Sequence, residues 1–191
     1  MVLDSKLSEE KISKQKARQL FDTGDIAKAE VGTFRGLAFI HACLFGELYG
    51  FAGKLRDVTI AKGNFRFAPL MYLEASLGMI DAMPQNTYDE IVEMNIEMNI
   101  AHPFREGNGR ATRLWLDLIF KKGIHKVVDW NLVDKEEYLS AMQRSVVKDL
   151  EIKALLSKAL TDLVDDRAIV MKGIDVSYYY EGYSQFKTEE L

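Results

Sequence analysis

The stretch His102-Pro103-Phe104-Arg105-Glu106-Gly107-Asn108-Gly109-Arg110-Ala111-Thr112-Arg113 decides how this chain is read. Pro103 disfavours helical geometry at His102 and so closes the helix before it. Gly107 and Gly109 bracket Asn108, which lets the backbone turn tightly and aim successive amides one way before a new helix opens. Free amides, the positive end of a helix dipole and small residues together make an anion cradle suited to phosphates. Arg110 and Arg113 stand one turn apart at that helix start. The dipole disfavours cations there, so their placement points to a polyanion between them. Glu106, beside the cradle, is a hard-cation ligand of the kind magnesium combines with phosphate oxygens and water. His102 has the side chain that titrates nearest neutrality and is the candidate general base. Singly, each part is ordinary: a glycine turn is usually a loop, and two arginines at i, i+3 are usually a solvated face. Their order within one short segment carries the chemistry.

Helical signals surround this stretch. Downstream, the pattern predicts a helix over 109–122 with Leu114, Trp115, Leu118 and Ile119 inward, ended by Lys121-Lys122-Gly123. Upstream, Thr87 and Glu90 form a capping box that opens a helix carrying Ile91, Met94 and Met98. Pro69 suits the first position of a helix reaching about Asp81. Leu37, Ile40, Leu44 and Leu48 recur on one helical face over 33–48. Residues 8–21 read as a charged amphipathic helix whose start is favoured by Ser8, Glu9 and Glu10. Asp134, with Glu137 at capping-box spacing, begins another helix, and Asp149 or Leu150 one more. Only 57–67 resists: Val58, Ile60, Phe65 and Phe67 flank Lys62-Gly63-Asn64, the mark of a short hairpin. Two strands alone are marginal, so this flap must lean on the helices. The expected fold is all-α, a helical bundle with one small β-hairpin flap over 55–68. His41 falls on an apolar helix face and reads as structural, His125 as exposed, and Trp115 and Trp130 as core.

Composition sets the frame. The chain has 191 residues, 48% of them hydrophobic and 28% charged, enough to bury a real core in a single domain over 1–191. A net charge of -4 speaks against direct nucleic-acid binding as the main task. The one cysteine, Cys43, excludes a disulfide framework and a cysteine zinc cage. No signal-peptide pattern and no membrane-length apolar run occur, so the expectation is a cytoplasmic protein without membrane contact.

The segment 102–113 resembles, residue for residue, the HxFx(D/E)GNGRxxR signature of the Fic (filamentation induced by cAMP) family. Leu44-Phe45-Gly46-Glu47-Leu48-Tyr49, Ala52-Gly53-Lys54-Leu55-Arg56 and Lys62-Gly63-Asn64-Phe65-Arg66-Phe67 are similar to that family's upstream helix, flap approach and flap. The resemblance implies a Fic-type bundle with a hairpin flap. It also implies a protein adenylyltransferase that moves AMP from ATP to a Tyr, Ser or Thr hydroxyl of a target protein. By the same resemblance His102 deprotonates the hydroxyl, Phe104 anchors the loop and Glu106 holds magnesium. Gly107, Asn108 and Gly109 cradle the phosphates, and Arg110 and Arg113 clamp the outer ones. The flap seats the target as an added strand, with Lys62 and Gly63 able to reach nucleotide or target. Other transfers, including AMP removal, another nucleotide donor or phosphotransfer, and a nucleotide-binding regulatory module remain as alternatives.

Ser177-Tyr178-Tyr179-Tyr180-Glu181-Gly182 matches the family's inhibitory pattern (S/T)xxxE(G/N), on an expected C-terminal helix over 175–184 with Asp175 as its N-cap. The resemblance implies that Glu181 pairs with Arg113 and denies it to the γ-phosphate, as in small toxin-like, single-domain (class III-like) members. It further implies a homo-oligomer and a type II topoisomerase subunit (gyrase B or its topoisomerase IV counterpart) as target. The crowding of Tyr178, Tyr179, Tyr180 and Tyr183 on this helix adds the expectation of self-modification when it loosens, at Tyr178 first from its place near the helix start.

Overall fold

Helix α5 (Asn108–Ile124) runs through the middle of the molecule because Ala111, Trp115, Leu116, Ile119 and Phe120 leave it no wholly solvated face. The computed structural model describes residues 2–63 and 65–191, with side chains from residue 5 onward. Around α5 pack α2 (Phe34–Phe45), α4 (Tyr88–Ala101) and α8 (Arg167–Tyr180). Outside these lie α1 (Val2–Asp22) against α2 and α8, α3 (Leu70–Asp81) against α4, and α6 (Lys135–Arg144) against α7 (Leu150–Lys158). Local rules account for the starts. Thr33 accepts from Gly36 N–H at 3.1 Å, Thr87 and Glu90 make the reciprocal capping box, and Asp134 accepts from the amides of Glu136 and Glu137. Trp115 then fixes the α2 start from below, its indole N–H donating to Thr33 O at 3.0 Å.

The flap is the antiparallel pair β1 (Ala61–Lys62) and β2 (Phe65–Arg66), with Gly63 at φ +57 in the turn; Asn64 of the expected turn lies outside the described residues. Arg56 ties its base to the bundle. That buried guanidinium donates to the carbonyls of His102 (2.9 Å), Val58 (2.9 Å) and Ala68 (2.5 Å).

Several boundaries differ from expectation, each for a physical reason. Helix α1 starts at Val2, so Ser8, Glu9 and Glu10 lie inside it, and the two glutamates bind tertiary partners instead of capping. Pro69 is the extended N-cap of α3 rather than its first helical residue. Helix α5 passes through Gly123, where a Cβ would meet Gln85 O at 2.7 Å; glycine there permits a close approach, and His125, at φ +53, ends the helix. Leu114 and Leu118 are only partly buried. A second antiparallel pair, β3 (Val127–Val128) with β4 (Leu160–Thr161), was not expected, because two-residue strands are too short for alternation to register. Helix α8 starts after Asp166, which accepts from Ile169 N–H at 3.0 Å; Asp175 is interior and holds Thr188 instead of capping. No described helix is long and apolar enough to cross a membrane.

Candidate active site

His102 is where α4 stops. Pro103 bars a further helical residue, and His102 turns into the left-handed region at φ 47, ψ 64 as the α4 C-cap. The imidazole stacks on Phe67 of the flap base, ring centres 3.7 Å apart, and faces a cleft of about 460 Å³. Burial pushes its pKa down to about 4, against the Asn99 carbonyl and the Glu181 charge, which favour protonation. At neutral pH it is therefore an uncharged base.

The loop behind it is held from inside. Phe104 is fully enclosed, and Asn108 closes the turn on it: Phe104 N–H donates to Asn108 Oδ1 at 2.9 Å, and Asn108 Nδ2 donates back to Phe104 O at 2.8 Å. The Asn108 side chain is thus a brace, not part of the cradle. Gly107, at φ +79, is the N-cap of α5 and supplies no side-chain cap, so the first-turn amides face the cleft without one. His41, placed in the core by its pattern, does more than pack. Its Nε2 meets Glu106 O at 2.8 Å, its Nδ1 accepts Gly53 N–H at 3.0 Å, and its ring stacks 3.8 Å from that of Phe104.

The two arginines part company. Arg113 donates from Nε to Ser177 Oγ at 2.8 Å, and from Nη2 to Ser177 O at 2.9 Å and Glu181 Oε1 at 3.0 Å. Arg110 turns away from the cleft, fully buried, onto Glu9 Oε1 at 2.8 Å and between the rings of Phe45, Tyr178 and Tyr183. The expected pairing of both arginines about one polyanion is therefore corrected. At i, i+3 on a helix wedged between α1 and α8, one guanidinium reaches each neighbour. Glu9 carries no sequence signal for this role, since its partner lies 101 residues away. The Glu106 side chain is 58% exposed at the cleft, its Oε1 accepting from Gly107 N–H at 2.9 Å and Arg110 Nη2 at 3.3 Å.

Glu181 is the C-cap of α8, one residue beyond the helix itself. Gly182 follows at φ +86; its N–H donates to Tyr179 O at 3.0 Å, and the Tyr183 N–H donates to Tyr178 O at 3.1 Å. That is a Schellman stop, and it explains why the pattern ends in glycine or asparagine. The stop throws the Glu181 carboxylate over the start of α5, where a Cβ on Gly109 would lie 2.5 Å from Oε1. Burial alone would raise the Glu181 carboxyl, but the charges of Arg113 and Lys62 outweigh it and hold it below its ordinary value. Lys62 of the flap lines the cleft and its Nζ reaches Glu181 Oε2 at 3.8 Å, while a Cβ on Gly63 would meet nothing within 4 Å. Tyr178 is buried, with burial pushing its phenol up to about 12, whereas Tyr179 is 54% exposed. Modification of Tyr178 requires the last turn of α8 to leave.

Residues 33–120 match the model of the Fic/DOC family. Protein adenylyltransferase VbhT of Bartonella schoenbuchensis is 32% identical over 151 residues, which are 71% of this chain and 31% of that protein. Probable protein adenylyltransferase Fic of Salmonella typhimurium is 26% identical over 140 residues, 66% of this chain and 68% of its own. The chain thus spans about a third of the first relative and two thirds of the second. The crystal structure of the effector protein BepC of Bartonella tribocorum with bound AMPPNP superposes with a TM-score of 0.65 at 16% identity, covering 83% of this chain and 87% of that one. That likeness establishes the fold.

Proposed function

Residues 33–120 of this chain match the Fic/DOC family, and from that premise we propose that it is a Fic-type protein adenylyltransferase restrained by Glu181. The observation that carries the reading is the Glu181 carboxylate itself, an anion lying on Gly109 and Arg113 at the amide end of α5. A place that holds one anion by dipole, amides and guanidinium suits the outer phosphates of ATP.

In this reading the neutral His102 imidazole accepts the proton of a target Tyr, Ser or Thr hydroxyl. The freed oxygen attacks the α-phosphorus, the bond to the β-phosphate oxygen breaks, and pyrophosphate leaves. Arg113, released from Glu181, meets the γ-phosphate, while first-turn amides at residues 107–109 meet the inner ones. Arg110 acts from behind as a positioning residue: its guanidinium braces Glu106 and α1 rather than touching phosphate. Glu106 fits a magnesium ion held by one carboxylate with phosphate and water, since its side chain is open to the cleft. Such an ion, when bound, would offset charge on the phosphates. The flap edge positions the target segment, and Lys62 reaches the cleft from it. A bacterial type II topoisomerase subunit (gyrase B or topoisomerase IV) and a homo-oligomeric state belong to this proposal by the family resemblance alone, and self-modification at Tyr178 by the crowding of tyrosines at the end of α8.

The test is label transfer from ATP by the Glu181→Gly variant. Label from α-labelled and not γ-labelled ATP is expected on protein, at about a hundredfold the wild-type rate, the size of a charge-assisted pair worth about 3 kcal/mol. His102→Ala in the same background abolishes it. Label from the γ-position instead means phosphotransfer; none from either means a binding module.

A further inference from the structure

A second cavity, of about 280 Å³, lies across Arg113 from the cleft, between α5, α8, β3 and the turn after α1. The proposed reaction does not use it. Leu114, Leu118, Val170 and Ile174 give it apolar walls. Arg113 lines both spaces, and Ser177, which holds that guanidinium through its hydroxyl and carbonyl, lines this one.

Asp117 stands in that apolar lining. Its Oδ1 accepts Val128 N–H and its Oδ2 the Trp130 indole N–H, both at 3.0 Å, so each oxygen keeps a second lone pair. Among the described residues it has no cationic partner; Lys121, one turn on, pairs with Asp165 at the rim. Burial raises its pKa to about 7 against those two bonds, as befits a carboxylate lacking a countercharge. An apolar chamber with one uncompensated acid selects an apolar body carrying one positive charge.

We infer that this cavity binds a small organic ammonium ion, its N–H donors on Asp117 and its apolar body against α5 and α8, and that the bound form keeps α8 seated. One wall of it, formed by Ile169, Val170, Gly173, Ile174 and Ser177, belongs to α8, so the complete site exists only while that helix is docked. A ligand that needs both walls favours the docked state by mass action. The coupling rests on Glu181 being the restraint; the binding does not.

Calorimetric titration of the full chain with 2-phenylethylammonium and with the neutral 2-phenylethanol tests it. The amine is expected to bind at least tenfold more tightly than the alcohol. Asp117→Asn brings the amine to the alcohol's affinity, and Leu118→Trp, which fills the chamber and keeps the Asp117 bonds, abolishes both. Equal affinities for the two probes, or unchanged amine binding in both variants, overturns the site. By reciprocity Glu181→Gly, with α8 loosened, binds the amine at least threefold more weakly. A Glu181→Gly variant that gains label transfer yet binds the amine as the wild type does overturns the coupling. One that gains no label transfer defeats the inhibitory reading and leaves the probe comparison standing.

Discussion

At the scale of single residues, protonation decides what the site can do. His102 is held near pKa 4, so its basic form is present above that value and lost as pH falls through it. The kcat/KM of Glu181→Gly should be level from pH 6 to 8 and decline toward pH 4, not near the ordinary histidine value of about 6.5. A midpoint near 6.5 would contradict the burial described. His41 gives the matching stability signature. Burial lowers it to about 4, so between its unfolded value and that figure the unfolded chain binds a proton that the folded chain refuses. Stability therefore falls as pH drops from about 6.5 to 4, by up to about 1.4 kcal/mol per pH unit. Denaturant melts of His41→Gln should show a shallower acid slope over that window. The residue types of the site were legible because they are consecutive in sequence. Their directions were not: Arg110 and Arg113 look alike on paper and point to different neighbours.

At the scale of elements, the device that matters is the end of α8. The Schellman stop requires the left-handed backbone at Gly182, which an L side chain enters at about 1–2 kcal/mol. Gly182→Ala should lower thermal stability by about 1 kcal/mol and raise basal label transfer severalfold, with Gly182→Asn milder on both counts. Starts with side-chain caps at Thr87 and Asp134 were legible to the residue, because capping is local chemistry. The start of α8 was read at Asp175 instead of after Asp166 because both are aspartates before apolar runs; only packing tells a cap from an interior acid. The β3–β4 pair left no trace for a similar reason: residues 127 and 161 meet through tertiary structure alone.

At the scale of the molecule, α1 and the last residues close over the restraint. Lys14, 1% exposed, meets Glu10 at 3.1 Å, Asp175 at 3.0 Å and Phe186 O at 2.6 Å, while Glu10 accepts the amides of Gln185 and Phe186. Removing one member of such a buried set strands the others, at about 3–5 kcal/mol. Lys14→Met should lower unfolding free energy by about that much and speed protease cleavage near residue 185, measured by denaturation and limited proteolysis. None of this was legible, since a charged helix at one end of a chain gives no hint that the other end folds onto it.

The seating of α8 also has an optical side. Trp130, one of two tryptophans, lies with its ring centre 6.4 Å from Tyr180 and 5.4 Å from Tyr138, walled off from water. Tyr180 rides on the last turn of α8, its hydroxyl tied to Val133 O at 2.6 Å. Light absorbed by that phenol passes to the indole only while the two are neighbours. Departure of the helix therefore dims tyrosine-sensitised emission and reddens the remainder, so the chain reports its own restraint in the ultraviolet without any attached dye.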